Sequence, residues 1–457
     1  AAWLEHLFSD AEGTAWPALH DLMRSRGRNL LHNHLALTED SPDSKQALRL
    51  EPDCADNPYF LRAYFSWKLG LPFGFFQCDR GRRNRDPACS GWTTQQQPSG
   101  SKRPGRAFHL FLRKLKSAVH SGSARTALDA EVSDLYPVPL TPEALRPGTV
   151  FADPYGHTLM LVRRLPQRDG SPGLLMAVDA QPDGTVTIKR FWRGNFLFAS
   201  EEVIGGPGFK AFRPVVAKGG RYVPMSNAEL SSSDEFPRLA LDQQRMGPVD
   251  FYDAMARVVN PLPMRPEDAY RQLHDALYEQ VLTRVKAIAN GESWVARNPG
   301  KTIAMPKGIA IFQTSGPWED FSTPARDLRL LIAIEAVVDF PNRVSRIPAA
   351  FQLPDGVTPV QMAEKLRNLR EQWTGAMHFG YVRSDGSTTQ LTLSDLFHRV
   401  SALETGYNPN DCPEVRWGAV HGSEEAATCR GRAPRSQQLE MEKYRSWFRD
   451  RRRPAWN

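Results

Sequence analysis

Three residues in the first half of the chain have the types and the order that thiol chemistry requires. Cys54 precedes an apolar and aromatic segment, His157 stands at the start of a β-rich segment, and Asp179 lies near the end of the next one. In acyl transfer by a thiol, a histidine takes the proton of the nucleophile and a carboxylate orients the imidazole ring. The order of the three residues therefore indicates a nucleophile, a base and an orienting carboxylate.

A helix is expected to position the thiol. The segment 58–69 predicts a buried helix because Pro58 occupies its first turn and aromatic residues cover most of its faces. Cys54 would lie at the N-terminus of this helix, where free N–H groups and the helix dipole stabilise a thiolate. The neighbouring carboxylates of Asp53 and Asp56 would raise the pKa of the thiol unless they are turned away or paired.

An antiparallel sheet is expected to position the other two residues. Residues 149–216 contain short β-rich runs separated by turn signals, which is typical of paired antiparallel strands. If the runs that carry His157 and Asp179 form a hairpin, the two residues become cross-strand neighbours. A depressed thiol pKa is then expected as well, because an imidazolium beside the sulfur favours the thiolate.

Two further residues are candidates for the same chemistry. Cys89, in ACSGW, is a rival nucleophile, but the sequence after it does not predict the buried helix that such a nucleophile needs, so it ranks below Cys54. His120, in SAVHSGSART, is a candidate alternative base or substrate-binding residue.

The sequence offers several candidates for the group that would stabilise the oxyanion and for the wall of a substrate cleft. The backbone N–H of Cys54 is the default oxyanion donor, and Asn33 and His34 are further candidates. The turn SGPW at 315–318 has two interpretations. It is either an N-capping turn with a packed Trp318, or a turn that exposes Trp318 as a substrate-binding cleft wall for peptide or sugar.

The other cysteines fall into two pairs that are close in sequence, Cys78 with Cys89 and Cys412 with Cys429. Both pairs lie in loop-like sequence, where a disulfide would contribute about 3 kcal/mol each. This predicts an oxidising compartment, and the close spacing of a zinc site is absent, so metal is the weaker alternative. The start at Ala1 resembles a mature exported chain, although a shortened chain would begin the same way. We therefore expect a periplasmic or secreted protein of bacterial type.

The pattern along the chain predicts an α+β fold. Residues 1–48 are interpreted as a helical brace, 49–225 as the core with a surface insertion at 78–106, and 250–457 as a mainly helical region. The longest predicted helix of that region begins at Pro266 and is expected to stop at Asn290-Gly291.

Composition and charge narrow the possible partners. The net charge of +7 is mild and diffuse, and the arginine-rich tail at 445–453 is more typical of a solvated or docking helix than of a nucleic-acid site. No apolar run is long enough to span a membrane. No phosphate loop, nucleotide fingerprint or zinc-protease motif occurs, so no cofactor and no metal are expected. An anionic envelope surface is compatible with the basic balance.

The motif around Cys54 resembles the papain-like superfamily of cysteine hydrolases and acyltransferases, most of all its transglutaminase-like core. There a cysteine precedes a helix followed by Gly-Ile-Pro, which is similar to Leu-Gly-Leu-Pro at 69–72, and histidine and aspartate follow on adjacent strands. Bacterial cell-wall amidases and endopeptidases share the Asp53-Cys54 pair. The resemblance covers roughly 50–72 and 147–182. It implies a papain-like core in which the cysteine-bearing helix packs on an antiparallel sheet.

Two functional hypotheses follow. The first is an exported cysteine-dependent hydrolase or acyltransferase in which Cys54, His157 and Asp179 act on a peptide or isopeptide amide, with peptidoglycan-like peptide as a reasonable substrate class. The second is a non-catalytic envelope protein that keeps the papain-like frame for binding or assembly, for which Asp53 and Asp56 are the hint in the sequence.

Overall fold

The chain folds into an α+β structure whose strands are all antiparallel in their named pairings. The computed structural model describes residues 1–82, 85–97, 100–168, 171–181, 183–199, 205–312 and 316–454. The strands of these residues are β1 (Ala15–Trp16), β2 (Gly74–Cys78), β3 (Cys89–Thr94), β4 (Leu135–Pro137), β5 (Val150–Ala152), β6 (Thr158–Leu165), β7 (Leu174–Ala180), β8 (Val186–Arg190), β9 (Gly208–Phe212), β10 (Val215–Lys218), β11 (Arg221–Pro224), β12 (His378–Val382) and β13 (Thr388–Thr392).

The helices complete the two halves of the molecule. In chain order they are α1 (Ala2–Leu7), α2 (Leu19–Met23), α3 (Asp56–Leu69), α4 (Pro104–Ala118), α5 (Asn227–Ser231), α6 (Pro248–Val259), α7 (Pro266–Arg297), α8 (Pro317–Phe321), α9 (Pro324–Arg346), α10 (Pro359–Ala376), α11 (Leu393–His398), α12 (Val400–Leu403), α13 (Pro413–Arg416), α14 (Glu424–Ala427) and α15 (Arg435–Arg449). Among the described residues, none of these helices combines the length and the apolar character needed to cross a bilayer.

A seven-stranded sheet in the order β1-β8-β7-β6-β5-β9-β4 forms the centre of the first half. Alternation along its strands gives it two apolar faces. Met160 and Val178 belong to the face that packs against α1, α2, α3 and α4. Leu159 and Ala177 belong to the opposite face, which packs against α6 through Phe251. The sheet is therefore covered on both faces, and the helix after Cys54 lies on one of them.

The first residues of the chain join this core, although they form less helix than predicted. Within 1–48 the helices are only α1 and α2, and the rest is turns together with the edge strand β1. Lys68, at the end of α3, is fully buried and pairs with Glu39 and Asp40. This ion cluster fixes the turns of the first 48 residues to the C-terminal end of α3.

The second half has its own apolar core, which also reaches the sheet. Its cluster joins α7, α9, α10 and α15 and includes Tyr155 and Trp192 from the first half. The core of the first half in turn continues through α6 to Val259, beyond the predicted start of the second region at 250. The two halves are thus packed against each other along a shared apolar boundary.

Two predicted element limits differ from the structure. The helix that begins at Pro266 continues through Gly291 to Arg297. Gly291 permits close packing, because a Cβ there would lie 3.0 Å from Arg416 Nη1 and 3.3 Å from the carbonyl oxygen of Phe321. The insertion 78–106 is also more ordered than predicted, since the β2–β3 hairpin and the start of α4 lie within it.

Candidate active site

Cys54 lies immediately before α3, in a turn that Asp53 closes. The Oδ1 atom of Asp53 accepts hydrogen bonds from the N–H groups of Ala55 at 2.9 Å and Asp56 at 3.0 Å. Its backbone carbonyl accepts from Asn57 at 3.0 Å. Aspartate is favoured at such a position because its carboxylate satisfies the free N–H groups that begin a helix. The Asp-Cys pair of the sequence thus has a structural reason, and it leaves Cys54 half-buried at the helix N-terminus.

His157 and Asp179 contact each other on adjacent strands. The Nε2 atom of His157 lies 2.8 Å from Oδ2 of Asp179, whose side chain is fully buried. Met160 pairs with Val178, so Asp179 is level with Leu159 and diagonal to His157, where direct cross-strand pairing was predicted. Diagonal positions remain within reach of a long side chain such as histidine.

The contacts of Cys54 bring it to the segment that carries His157. Its Sγ atom lies 4.0 Å from the carbonyl oxygen of Gly156, and the backbone N–H of Thr158 forms a hydrogen bond that favours its thiolate. These two residues flank His157 in sequence. Cys54 therefore lies against the backbone on both sides of His157, where the β5–β6 turn enters β6.

The pairing with Asp179 defines the state of the imidazole ring. An ionised carboxylate only accepts hydrogen bonds, so Nε2 of His157 carries the proton in this contact. In the neutral ring, Nδ1 is then the nitrogen that accepts a proton. Burial opposes the ionisation of Asp179, but Lys189 and the hydrogen bond from His157 outweigh it and hold the pKa of Asp179 well below its usual range.

Sequence reasoning missed two further groups on this carboxylate. Lys189 Nζ lies 2.9 Å from Oδ2 of Asp179, and Gln181 Nε2 donates to the same oxygen at 3.0 Å. Lys189 lies on β8, the strand that pairs with the one carrying Asp179. The polar residues of the segment VTIKR are the feature of the sequence that could have indicated this contact. Lys189 partly neutralises the negative charge of Asp179. Asp179 therefore contributes more to the orientation of the His157 ring than to the stabilisation of its protonated form.

The thiol is protonated at neutral pH, in contrast to the depressed pKa that the sequence led us to expect. Burial raises the pKa of Cys54 to about 12, and the carboxylates of Asp53, Asp179 and Asp56 add to the increase. The N–H of Thr158 opposes these effects without overcoming them. Any attack by this sulfur therefore requires a base that removes its proton during the reaction.

Buried polar atoms without hydrogen-bond partners cluster around the thiol. Among the described residues these are both carboxylate oxygens of Asp56, both amide atoms of Asn57, Oγ1 of Thr158 and Oδ1 of Asp179. Burial, and next the charge of Asp53, raises the pKa of Asp56 to about 8. Unpartnered buried polar groups are uncommon in folded proteins, and they are typical of sites where water or a ligand supplies the missing partners.

Arginines from three separate segments hold the turn that precedes His157. Arg125 donates to the carbonyl oxygen of Pro154 at 3.2 Å. Arg329, on α9, pairs with Asp153 Oδ2 at 2.6 Å. Arg453, beyond α15, donates to the carbonyl oxygen of Tyr155 at 2.7 Å. The basic tail is therefore docked on the candidate active site rather than solvated along its length.

Arg453 is buried, as Arg125 is, and it makes further contacts near this turn. Its side chain also lies over the rings of Phe312 and Tyr155, with 4.4 Å and 5.1 Å from the guanidinium carbon to the ring centroids. Burial lowers the pKa of Arg453 to about 9. The carbonyl oxygen of Tyr155 and the faces of the two rings stabilise the charged guanidinium in this buried position.

His120, the candidate alternative base or substrate-binding residue, caps a turn in the structure. Its Nε2 atom lies 2.8 Å from the carbonyl oxygen of Cys78, and its Nδ1 accepts from the N–H of Gly122 at 3.0 Å. Both ring nitrogens are thus used in capping the short 3₁₀ turn Ser121–Ala124. Burial lowers the pKa of His120, which agrees with a neutral ring.

Trp318 is buried rather than exposed as a cleft wall. Only 3% of it is exposed, and its Nε1 donates to the carbonyl oxygen of Ile311 at 3.0 Å. The packed-tryptophan interpretation of this turn describes the side chain, while position 315 lies outside the described residues. Burial, and next the charges of Asp320 and Asp53, raise the pKa of the following residue, Glu319.

The positions of the other candidate nucleophile and of the candidate oxyanion donors exclude them from the site. Cys89 forms a disulfide with Cys78 and has no thiol, and the second predicted disulfide, Cys412–Cys429, is also present. Asn33 donates to Ser41 and belongs to the turns at the C-terminal end of α3. A 14-residue helix separates that end from Cys54 by about 20 Å, so neither Asn33 nor the adjacent His34 is an oxyanion donor for it.

Glu414 lies beside the sulfurs of the Cys412–Cys429 pair. This grouping would suit a metal ion only if the disulfide were reduced, because a bonded sulfur is not a thiolate ligand. Glu414 is already engaged, accepting hydrogen bonds from Ser384 and Thr428. The group therefore serves as a structural staple in the second half.

Comparison with known proteins gives no relative: no protein-family model, curated protein or solved structure matches this chain significantly. The functional argument therefore depends on the geometry of the site itself.

Proposed function

We propose that this protein is a cysteine-dependent hydrolase or acyltransferase that acts on a peptide or isopeptide amide. Cys54 attacks the carbonyl carbon, His157 takes the proton of the thiol and returns it to the leaving amine, and Asp179 orients His157. The observation that carries the proposal is the 2.8 Å pairing of His157 with Asp179, in a segment whose backbone contacts the thiol at Gly156 and Thr158. The order Cys, His, Asp and the helix-borne cysteine on an antiparallel sheet support a papain-like core.

The mechanism could begin from a preformed thiolate–imidazolium pair or from a protonated thiol, and the pKa of Cys54 favours the second. A preformed thiolate–imidazolium pair is disfavoured because burial and three carboxylates raise the pKa of Cys54 to about 12. Proton transfer to Nδ1 of His157 therefore accompanies attack on the carbonyl, as in base-assisted nucleophilic catalysis. The N–H of Thr158, together with that of Cys54, is suited to stabilise negative charge near the sulfur.

Location and substrate class belong to the same proposal. The disulfides Cys78–Cys89 and Cys412–Cys429 favour an oxidising compartment, and we infer a periplasmic or secreted protein. Peptidoglycan-like peptide is the substrate class we favour, since the mildly basic chain suits an anionic envelope. The alternative is a non-catalytic envelope binding or assembly protein, which the buried, protonated thiol favours.

Acylation by p-nitrophenyl acetate separates catalysis from binding. Cys54 is the one cysteine outside the two disulfides, so a thioester can form at a single position. We expect a burst of p-nitrophenol equal to the protein concentration and one acetyl group on Cys54 by peptide mass spectrometry. Cys54→Ala should abolish both signals, while Cys89 remains oxidised. Acetylation confined to lysines would contradict the proposal and favour the binding protein.

Substrate class is tested with purified peptidoglycan. Wild-type protein should release new amine termini from sacculi, and Cys54→Ala at equal concentration should not. Addition of an amine acceptor distinguishes the two reaction types, because transfer incorporates the acceptor whereas hydrolysis does not. If amine termini are released from an unrelated denatured protein but not from sacculi, the substrates are peptides in general rather than peptidoglycan.

A further inference from the structure

A second site lies between the two halves, away from Cys54. A cavity of about 210 Å³, open to solvent on one side, is bordered by the start of β7, the end of β8 and the helices α6, α7 and α9. Its lining is largely apolar and aromatic and includes Leu174, Phe191, Met255, Leu273 and Phe340. An apolar cavity with a few polar groups is the usual form of a small-molecule site.

Three buried donors in this lining lack a hydrogen-bond partner within the part of the chain that the structure describes, and one of them, Nε of Arg190, is ion-paired with Glu12, which leaves two without any partner. Trp192 is only 6% exposed, and its Nε1 has no acceptor among the described residues. Nη2 of Arg343 is likewise buried without an acceptor, although Nε of the same side chain donates to Asp253 at 3.0 Å. A buried donor without an acceptor is costly, so a site that holds two of them is suited to a ligand with oxygen acceptors.

The arginines that line the cavity are paired with carboxylates, and one of them retains a donor that suits an anionic oxygen. Arg190 is already held by Glu12 and Glu279, and Arg193 pairs with Glu335 at 3.2 Å. The guanidinium of Arg343 keeps part of its donor capacity, as described above. Both unpartnered groups are donors, so a cationic or donor-rich ligand would leave them unsatisfied.

We propose that this cavity binds an amphipathic anion, with an apolar chain or ring system against the lining and carboxylate oxygens that accept from Trp192 and Arg343. Ligand binding here does not depend on the function proposed for Cys54. Because the lining comes from both halves of the chain, an occupant would also bridge them.

Calorimetric titration of the full chain with decanoate tests the proposal. Decanoate should bind with a stoichiometry of one. Decanol, which has the same chain without the charge, should bind about tenfold more weakly, because a hydrogen bond to a charged group is stronger than one to a neutral group. Decylamine should bind no more tightly than decanol. Equal affinity for decanoate and decanol, or a preference for decylamine, would overturn the assignment of an anion site.

Variants assign the binding to the two donors. Arg343→Gln should weaken decanoate binding about tenfold and Trp192→Phe by a few-fold, whereas Arg257→Gln, an exposed arginine on α6, should leave it unchanged. Asp253→Asn should strengthen binding, because it removes the carboxylate that competes for Arg343. This variant keeps the test decisive if Arg343→Gln folds poorly. Unchanged affinity in both Asp253→Asn and Trp192→Phe, or no binding of decanoate to the wild type, would overturn the proposal.

Discussion

The Sγ atom of Cys54 lies 4.0 Å from the carbonyl oxygen of Gly156, the residue before His157. In such a contact a protonated thiol donates to the carbonyl oxygen. The thiol is protonated at neutral pH because burial raises the pKa of Cys54 to about 12. The site is thus arranged for proton removal during attack rather than for a resting thiolate.

Alkylation by iodoacetamide tests this resting state. A thiolate is the reacting form, so at pH 7 we expect Cys54 in the folded protein to react more slowly than a free thiol of pKa about 8.5. The unfolded, unreduced chain is the control, since it exposes the same single thiol. Faster labelling of the folded protein at pH 6 to 7 would show that a thiolate is already present and would contradict the protonated state.

The buried carboxyl of Asp56 should make the fold less stable as the pH rises. Burial, then Asp53, raises the pKa of Asp56 to about 8, with Lys116 opposing this. Between about pH 4, where an unfolded aspartate loses its proton, and pH 8, the folded state holds one proton more than the unfolded state. The free energy of unfolding should therefore fall with pH over this interval, by at most about 1.4 kcal/mol per pH unit from this group.

Urea denaturation at pH 5 and pH 8 measures this effect. Asp56→Asn should lose less stability than the wild type between the two pH values, because the amide does not titrate. Asp183→Asn, at an exposed aspartate, is the matched control and should follow the wild type. An identical pH dependence in wild type and Asp56→Asn would contradict the raised pKa.

The tail should influence the site through Arg453. Arg453→Gln removes the charged donor to the carbonyl oxygen of Tyr155 and loosens the turn that carries Gly156. Loss of a buried charged hydrogen bond predicts about a tenfold lower rate of Cys54 acylation. Arg452→Gln, at the exposed neighbouring position, should retain the wild-type rate. Equal rates in the two variants, with unchanged melting temperatures, would exclude a positioning role for Arg453.

Much of the fold was predictable because its signals are local. The helix after Cys54, the antiparallel strands of the first half, the mainly helical second half and both disulfides follow from periodicity, turn residues and cysteine spacing. The diagonal placement of His157 and Asp179 was not predictable, because the register of a hairpin is set by its turn and by local irregularities such as the one between Leu161 and Arg163.

The remaining differences come from tertiary contacts that no local pattern contains. Gly291 has the appearance of a helix stop, yet it lies within α7, where Arg416 and Phe321 pack close to its backbone. Trp318 follows a turn that suggests exposure, but its indole finds a hydrogen-bond acceptor and an aromatic neighbour, Tyr407, in the interior. Arg453 reaches the turn before His157 across almost the whole sequence, and a basic tail alone gives no sign of that contact.

The most direct test of the central claim is the pH dependence of Cys54 acylation in the wild type and in His157→Gln. The wild type should acylate at neutral pH despite its protonated thiol, because His157 removes the proton during attack. His157→Gln should be slower by about 10² to 10⁴-fold at pH 7, the usual contribution of a positioned base, and its rate should keep rising with pH as the thiol ionises by itself. Equal rates at pH 7, with parallel pH profiles, would contradict the assignment of Cys54 and His157 as nucleophile and base.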